Sequence, residues 1–233
     1  MTHAPSREET RRAYQRFHAR RHRMLLDVLQ RHVPERAERG LDIGGGGDVA
    51  EMADALRGRF VCELHAVDLD ADVALARAKG IAAQRCDIDR EALPYPDAFF
   101  GLALFLSVIE HLYNPHHVLR EIARALAPGG MLVVEAPNAV ALGRRFDALA
   151  GRNPFEAFNR CNAAHDKLRM EHCAVFYTAD EIGALLAPDF DVLECTYCMH
   201  TPPAGLAKRV LREAAFRLNP RLADCFFVAA RRK

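Results

Sequence analysis

The sequence predicts an α/β protein built on a doubly wound, mostly parallel, seven-stranded sheet with helices on both faces. Two observations support this class: apolar strand-sized runs alternate with helix-sized segments from residue 41 onward, and a glycine-rich turn follows the first run. A third is the continuously apolar run 99–106, which suits a central strand buried on both sides. Such alternation implies right-handed βαβ units, in which the two strands are parallel. An N-terminal helix and a helical insertion complete the predicted architecture.

Length and composition are those of one globular domain. The chain has 233 residues, 50% of them hydrophobic and 27% charged, with a formal net charge of +1, and a single core commonly grows to about 250 residues. The balance of 32 basic and 31 acidic residues argues against a general polyanion binder. No run approaches the roughly 20 apolar residues of a membrane span. The first residues also lack an apolar signal core, so we expect a cytoplasmic protein.

The seven cysteines are scattered along the chain, which is typical of reduced thiols rather than a disulfide framework. Only Cys195 and Cys198 have the spacing of a metal-ligand pair, and no second Cys-x-x-Cys accompanies them. In a strand these two side chains would face opposite sides. We therefore expect no metal site.

The segment 1–37 is predicted to be helical, amphipathic and rich in arginine. Residues 7–36 hold nine arginines against four acids, while apolar residues recur at near-helical spacing until Pro34. One interpretation is a solvated arginine face on a helix that covers the core. The other is a basic lid that attracts an anionic substrate or RNA phosphates.

The remainder, 38–233, is predicted to form one domain with a substrate-binding insertion or lid at 138–175. Pro115 suits the first turn of a helix after Asn114, Pro128 and the glycines after it would end that helix, and Thr178 would cap another. The predicted strands are a short one that ends with residues 41–43, followed by 61–67, 81–86, 99–106, 131–135, 190–199 and 223–230. The predicted helices are 48–56, 71–79, 115–127, 140–149, 155–168 and 178–186.

The segment 42–48, Asp-Ile-Gly-Gly-Gly-Gly-Asp, is the most informative motif. Glycines between a first strand and a first helix let the backbone approach a ligand closely. A dinucleotide fingerprint would require a small residue at Val49, and Asp48 would repel a pyrophosphate. A cofactor without phosphates therefore suits this turn better, and a nicotinamide-dependent oxidoreductase is the weaker alternative.

With its neighbours, this motif resembles class I S-adenosylmethionine-dependent methyltransferases. The resemblance covers about residues 38–138, with Asp48 standing where the family has its third glycine. It implies a Rossmann-like fold and S-adenosyl-L-methionine as cofactor, and the later segment 171–182 is similar to one in the small-molecule branch. The motifs that carry the resemblance, in order, are 42–48, 65–70, 86–88, 93–99, 107–112 and 126–138.

The resemblance assigns Asp68 to the ribose hydroxyls, Asp87 to the adenine amino group and Ile88 to the face of the adenine ring. Asp42, Asp68 and Asp87 follow or end three successive predicted strands, and ligands of open parallel sheets bind at that edge. The other residues expected at the cofactor are Asp42, Gly44, Gly45, Gly46, Leu69, Ser107 and His111.

The expected reaction is methyl transfer to a small-molecule acceptor, through an oxygen. A general base would help to deprotonate a hydroxyl, and His172 and His111 are the candidates, with Glu135 a third. The segment beginning at Ser107 replaces the Asp/Asn-Pro-Pro-aromatic segment typical of base amino-methylating enzymes, which argues against DNA. An RNA or other anionic substrate, or a non-catalytic cofactor-binding partner, remains an alternative.

Overall fold

The fold is known from a computed structural model that describes residues 7–33, 35–44, 48–69, 73–155, 175–199 and 206–233. The strands are β1 Ala37–Ile43, β2 Val61–Asp68, β3 Ala82–Arg85, β4 Phe100–Leu106, β5 Leu126–Pro137, β6 Phe190–Cys198 and β7 Cys225–Arg232. The α-helices are α1 Arg7–His32, α2 Asp48–Arg59, α3 Val73–Ala78, α4 Pro115–Ala125, α5 Leu142–Leu149, α6 Ala179–Leu186 and α7 Leu206–Leu218. Short 3-10 turns lie at Ile109–His111 and Pro220–Leu222.

Within these residues the strands form one seven-stranded sheet in the order β3-β2-β1-β4-β5-β7-β6. The pairs from β3 to β5 are parallel, whereas β7 runs antiparallel to both β5 and β6. The predicted mostly parallel α/β sheet is therefore confirmed. The strand order reverses between β1 and β4, and this reversal opens the crevice in which such sheets bind ligands.

Helices cover both faces of the sheet, as predicted. On β4 the alternation of a strand sends Phe105 to one face and Leu104 to the other. The Phe105 face packs against the apolar side of α4, which includes Ile122, and against α6. The Leu104 face packs against Leu29 of α1 and Leu56 of α2. Burial on both faces explains why the sequence of β4 is a continuous apolar run.

The end of α4 differs from the prediction. The helix begins at Asn114–Pro115 as expected, with the Asn114 side chain capping the His117 N–H at 3.3 Å, but it ends at Ala125. Leu126 already pairs with Phe100 of β4, so the Pro-Gly-Gly segment lies inside β5. Gly129 has φ +76°, and the register of the β4–β5 pair shifts there. The expected strand 131–135 was therefore too short.

The beginning of β1 was not predicted, other element ends shift by a few residues, and one helix was missed. β1 begins at Ala37, because its charged first half pairs with β2 although it lacks an apolar pattern. The predicted strand 223–230 is instead Cys225–Arg232, after a 3-10 turn. Helix α7 was not predicted at all. The division of the chain at residues 37 and 38 stays a prediction.

Helix α1 is one long helix whose end contacts β6, the edge strand of the sheet. Leu25, Val28 and Leu29 are buried against the Leu104 face. At the end of the helix, Arg31 donates two hydrogen bonds to Glu194 of β6, at 3.0 and 2.7 Å, and His32 contacts the same carboxylate. The arginine-rich helix is thus held by both apolar and charged contacts.

The predicted insertion is described only in part. Its first predicted helix, 140–149, is confirmed as α5, whereas residues 156–174, which hold most of the second, lie outside the described residues. Of the two cysteines that have the spacing of metal ligands, Cys198 is buried and Cys195 is exposed. Across the described ranges, no helix combines the length and apolar character of a membrane span.

Candidate functional site

The carboxyl ends of β1, β2 and β3 lie side by side and carry three aspartates. Asp42 is 1% exposed and sits in β1 opposite Ala66. Asp68 is half-buried at the end of β2, and Asp87 follows β3 with its side chain 27% exposed. The Cys86 N–H donates to the Asp68 carbonyl at 3.2 Å, which holds the last two strand ends together. The structure therefore brings the three predicted carboxylates to one edge.

The turn after β1 requires glycine at its first position. Gly44 has φ +70°, and its N–H donates to the Val67 carbonyl at 2.7 Å. A Cβ at this position would lie 2.8 Å from both Cγ atoms of Val108. The backbone can therefore turn tightly beneath the loop that follows β4. The predicted cofactor residues Gly45 and Gly46 lie outside the described residues.

Apolar side chains accompany the aspartates at this edge. Leu69, next to Asp68, is 45% exposed although it is a large hydrophobic residue. Ile88, next to Asp87, is partly buried against the core. An acid beside an accessible aliphatic group offers both hydrogen-bond acceptors and a surface for a flat ring.

Beyond β4, a buried network joins three elements around Ser107. The hydroxyl of Ser107 accepts from Arg21 of α1 at 3.0 Å and donates to the carboxylate of Glu135 in β5 at 2.6 Å. Arg21 and Glu135 are only 8% and 1% exposed, and their charged groups are 3.7 Å apart. Ser107 itself has φ +55°. The carboxylate of Glu135, the third candidate base, is therefore already bound by Ser107 and Arg21.

Glu110 is a buried acid in the 3-10 turn after β4. Its side chain is 2% exposed, and in the described part of the chain its Oε2 has no hydrogen-bond partner. Burial, followed by the charge of Glu135, raises the pKa of Glu110 to about 8, against the opposing charges of Arg21 and Arg144. The group is therefore mostly protonated at neutral pH. Its backbone carbonyl accepts from the Val175 N–H at 2.9 Å, which ties the end of the insertion to this turn.

The predicted bases differ in what the structure describes. His111 is half-buried in the same 3-10 turn, and its backbone N–H donates to the Val108 carbonyl at 2.9 Å. It therefore lies at the carboxyl end of β4, on the same edge as the aspartates. His172 lies outside the described residues.

Arg144 on α5 forms the outer part of this region. Its guanidinium lies 4.3 Å from the ring centroid of Phe176 and 5.1 Å from that of Phe155, and it donates to the Asn138 carbonyl. The two phenylalanine rings are stacked, with centroids 4.3 Å apart. Burial lowers the pKa of Arg144, opposed by Asp224 and Glu110. Phe176 follows Val175, whose N–H donates to the Glu110 carbonyl, so Arg144 lies against a segment that is connected to the turn of Glu110.

Sequence reasoning missed Arg21, Glu110 and Arg144 as parts of the site. Arg21 was one of nine similar arginines in its segment, and Glu110 was considered only as part of a motif. Their burial depends on how α1 and the turn after β4 meet in space. The capping and glycine patterns, by contrast, could be recognised locally.

The open, mostly parallel sheet carries acids and a glycine turn where its strand order reverses, and this arrangement defines a protein of the cofactor-binding α/β class. A methyltransferase-domain family matches residues 14–194. The chain therefore belongs to the class I S-adenosylmethionine-dependent methyltransferases, and the predicted class and cofactor are confirmed.

Two curated relatives illustrate the match. A probable S-adenosylmethionine-dependent methyltransferase of Mycolicibacterium smegmatis is 29% identical, over 73% of this chain and 63% of that protein. The 27-O-demethylrifamycin SV methyltransferase of Amycolatopsis mediterranei is 32% identical, over 47% of this chain and 43% of that protein. The chain thus spans 63% or less of the length of these two relatives.

A solved structure supports the fold. The N-methyltransferase NodS of Bradyrhizobium japonicum, in complex with S-adenosyl-L-homocysteine, has a TM-score of 0.57 at 18% identity. The superposition covers 93% of this chain and 87% of NodS. At this identity the likeness establishes the α/β fold alone.

Proposed function

We propose that this chain transfers a methyl group from S-adenosyl-L-methionine to an oxygen atom of a small-molecule acceptor. The observation that carries the proposal is the row of Asp42, Asp68 and Asp87 at the adjacent ends of β1, β2 and β3, beside the Gly44 turn. Family membership supplies the cofactor, and this edge supplies acceptors for its hydroxyl and amino groups.

The residues present fit that cofactor. Gly44 keeps the turn after β1 tight, because its φ is +70° and a Cβ there would clash with Val108, and the methionine end would lie against this turn. Asp68 would bind the ribose hydroxyls, and Asp87 the adenine amino group. Leu69 and Ile88 would pack on the adenine ring, because one is exposed and the other is only partly buried.

When bound, the cofactor supplies a methyl group on a sulfonium, which is already activated toward an in-line attack. The chain must then position the acceptor and exclude water. His111 would remove the proton of an acceptor hydroxyl, since an imidazole ionises near neutral pH. Glu135 is a poorer base because Ser107 and Arg21 already occupy its carboxylate. His172 remains a second candidate from the sequence.

The name of the rifamycin relative supports an oxygen acceptor in a small molecule. The insertion at 138–175 provides chain that could enclose a compact substrate. An RNA or another anionic substrate is the alternative favoured by the arginine-rich α1. A non-catalytic cofactor-binding partner is distinguished from both because it would release no S-adenosylhomocysteine.

A first experiment tests the cofactor site. Replacing Asp68 with asparagine should weaken S-adenosylmethionine binding by about 1–3 kcal/mol, because the ribose hydroxyls lose a charged acceptor. Isothermal titration calorimetry measures this. Glu63→Gln is the matched control: Glu63 is on the same strand, its side chain is 62% exposed, and binding should be unchanged. Equal affinity of the Asp68 variant and the wild type would place the ribose elsewhere.

A second experiment tests the reaction. The chain is incubated with methyl-deuterated S-adenosylmethionine and a panel of small hydroxyl and amine compounds, with RNA as a separate arm. Labelled product on oxygen, together with S-adenosylhomocysteine, is the expected result. Label on nitrogen or on RNA would contradict the acceptor, and cofactor binding without any transfer would favour the non-catalytic alternative.

A further inference from the structure

Arg144 is held in place without a carboxylate partner. Within the described part of the chain, its contacts are the Asn138 carbonyl and the rings of Phe155 and Phe176. A guanidinium has five N–H donors, so most of its hydrogen-bonding capacity is unused by the described residues. Its aromatic contacts restrict its movement, which lowers the entropy lost when a ligand binds.

The charges around Arg144 leave a net positive site. Arg21 and Glu135 are 3.7 Å apart and offset each other. The buried Glu110, with its pKa raised to about 8, contributes little negative charge at neutral pH. Asp224 also attracts Arg144, but its carboxylate is already bound by Arg212, whose Nη2 donates to both oxygens at 2.7 Å. With these pairs set aside, the described groups around Arg144 leave its positive charge without an offsetting partner, so an anion entering here would gain a favourable interaction in a partly desolvated place.

The position of Arg144 separates it from the expected cofactor edge. It follows β5, whereas the aspartates assigned to ribose and adenine lie at β2 and β3, beyond β4 and β1 in the sheet order. Its neighbour Phe176 follows the insertion, on the segment tied to the Glu110 carbonyl through Val175. The aspartates at β2 and β3 are assigned to the cofactor, so the region around Arg144 and Phe176 is the part of this edge where an acceptor can bind.

We propose that Arg144 binds a carboxylate group of the methyl acceptor, so that the substrate class is a small organic acid. The proposal rests on the methyl transfer proposed above. The planar guanidinium matches a carboxylate through two parallel N–H···O bonds, a geometry that lysine does not offer. The adjacent phenylalanine rings suit an acid that carries a flat or apolar group.

Benzoate and its neutral counterpart benzamide test this directly, because they differ in charge but hardly in shape. The full chain, saturated with S-adenosylhomocysteine, is titrated with each compound by NMR. Benzoate should bind at least tenfold more tightly than benzamide. This preference should disappear in Arg144→Gln, remain partly in Arg144→Lys, and persist in Arg145→Gln, an exposed neighbour on the same helix. No preference in the wild type, or a preference that survives in Arg144→Gln, would overturn the proposal.

Cofactor affinity separates this proposal from the proposed function. S-Adenosylmethionine should bind Arg144→Gln within twofold of the wild type. A tenfold loss would place Arg144 on the carboxylate of the cofactor itself and overturn the proposal. Failure of the wild type to bind the cofactor would instead refute the proposed function, whatever benzoate does.

Discussion

Gly44 meets two separate requirements at one position, a positive φ and a close approach to Val108. Replacing Gly44 with alanine should destabilise the protein by about 1–3 kcal/mol, because alanine is strained at φ +70° and its Cβ would lie 2.8 Å from the Val108 side chain. Urea unfolding measures the change. Cofactor affinity should fall as well, since the turn would have to shift.

Gly58→Ala is the matched control for that change. Gly58 lies in α2 with nothing within 4 Å of a built Cβ, so alanine there should be neutral or stabilise by up to about 1 kcal/mol. Adding Val108→Ala to Gly44→Ala should recover the steric part of the loss and leave the φ strain. Full recovery would show that the φ of residue 44 costs nothing.

Glu110 couples the stability of the fold to pH. Its pKa is raised from 4.5 to about 8 in the folded state, so between these pH values the unfolded chain has lost a proton that the folded chain retains. Stability should therefore fall as the pH rises, by up to about 1.4 kcal/mol per pH unit in this window. Glu110→Gln should remove that slope. The variant should match the wild type near pH 4.5 and exceed it most at pH 8 and above, as measured by urea unfolding at fixed pH values.

An exposed acid provides the comparison for Glu110. Glu35→Gln changes the same chemical group outside the core and should leave the pH profile as in the wild type. A wild-type profile that does not fall between pH 4.5 and 8 would mean that Glu110 is ionised in the folded protein.

At the scale of elements, one carboxylate contributes to the docking of α1 beside the apolar contacts of that helix. Hydrogen bonds from Arg31, Thr196 and His32 lower the pKa of Glu194 to about 2. Because the folded-state pKa is depressed, the stabilisation is fully present above the unfolded carboxyl pKa, near 4.5, and is lost as the pH falls through 2. Glu194→Gln should cost about 1–2 kcal/mol at pH 7. Hydrogen exchange of the α1 amides measures this loss, and it should become faster in the variant.

Asp191→Asn controls for charge on the same strand, since Asp191 is exposed on β6. It should leave exchange in α1 unchanged. If Glu194→Gln also has no effect on α1, the apolar contacts of Leu25, Val28 and Leu29 alone hold the helix.

The elements that the sequence revealed were those with strong local signals. Thr178 caps α6 with a reciprocal capping box to Glu181, and Asn114–Pro115 begins α4. The beginnings of β1 and β5 were missed because pairing with neighbouring strands, rather than an apolar pattern, makes Arg39 and Leu126 extended. Tertiary pairing of this kind leaves no periodic trace in the sequence.

At the scale of the whole molecule, ligand binding should be visible as stability. S-Adenosylmethionine at one hundred times its dissociation constant should stabilise the chain by about 2.7 kcal/mol, which is roughly 5–10 °C in Tm for this size. S-Adenosylhomocysteine should act similarly and NAD should not, as measured by differential scanning calorimetry. A shift with NAD alone would favour the oxidoreductase alternative.

Only part of the candidate site was predicted, because only some of its residues have a local signal in the sequence. The aspartates and glycines could be assigned because each lies next to a recognisable strand end, and parallel strands bring such ends to one edge. Arg21 and Arg144 come from α1 and α5, which are 123 positions apart in the sequence. Their shared electrostatic environment with Glu110 is a property of packing, which a single sequence does not display.

The position of β7 between β5 and β6 has a consequence for biosynthesis on the ribosome. In the described sheet β6 pairs only with β7, and β7 is translated after both of its neighbours. While the nascent chain emerges, β6 and the Glu194 anchor of α1 have no strand to join. The arginine-rich helix is made before these strands, yet its contacts with Glu194 can form in their final place only after β7 has left the exit tunnel.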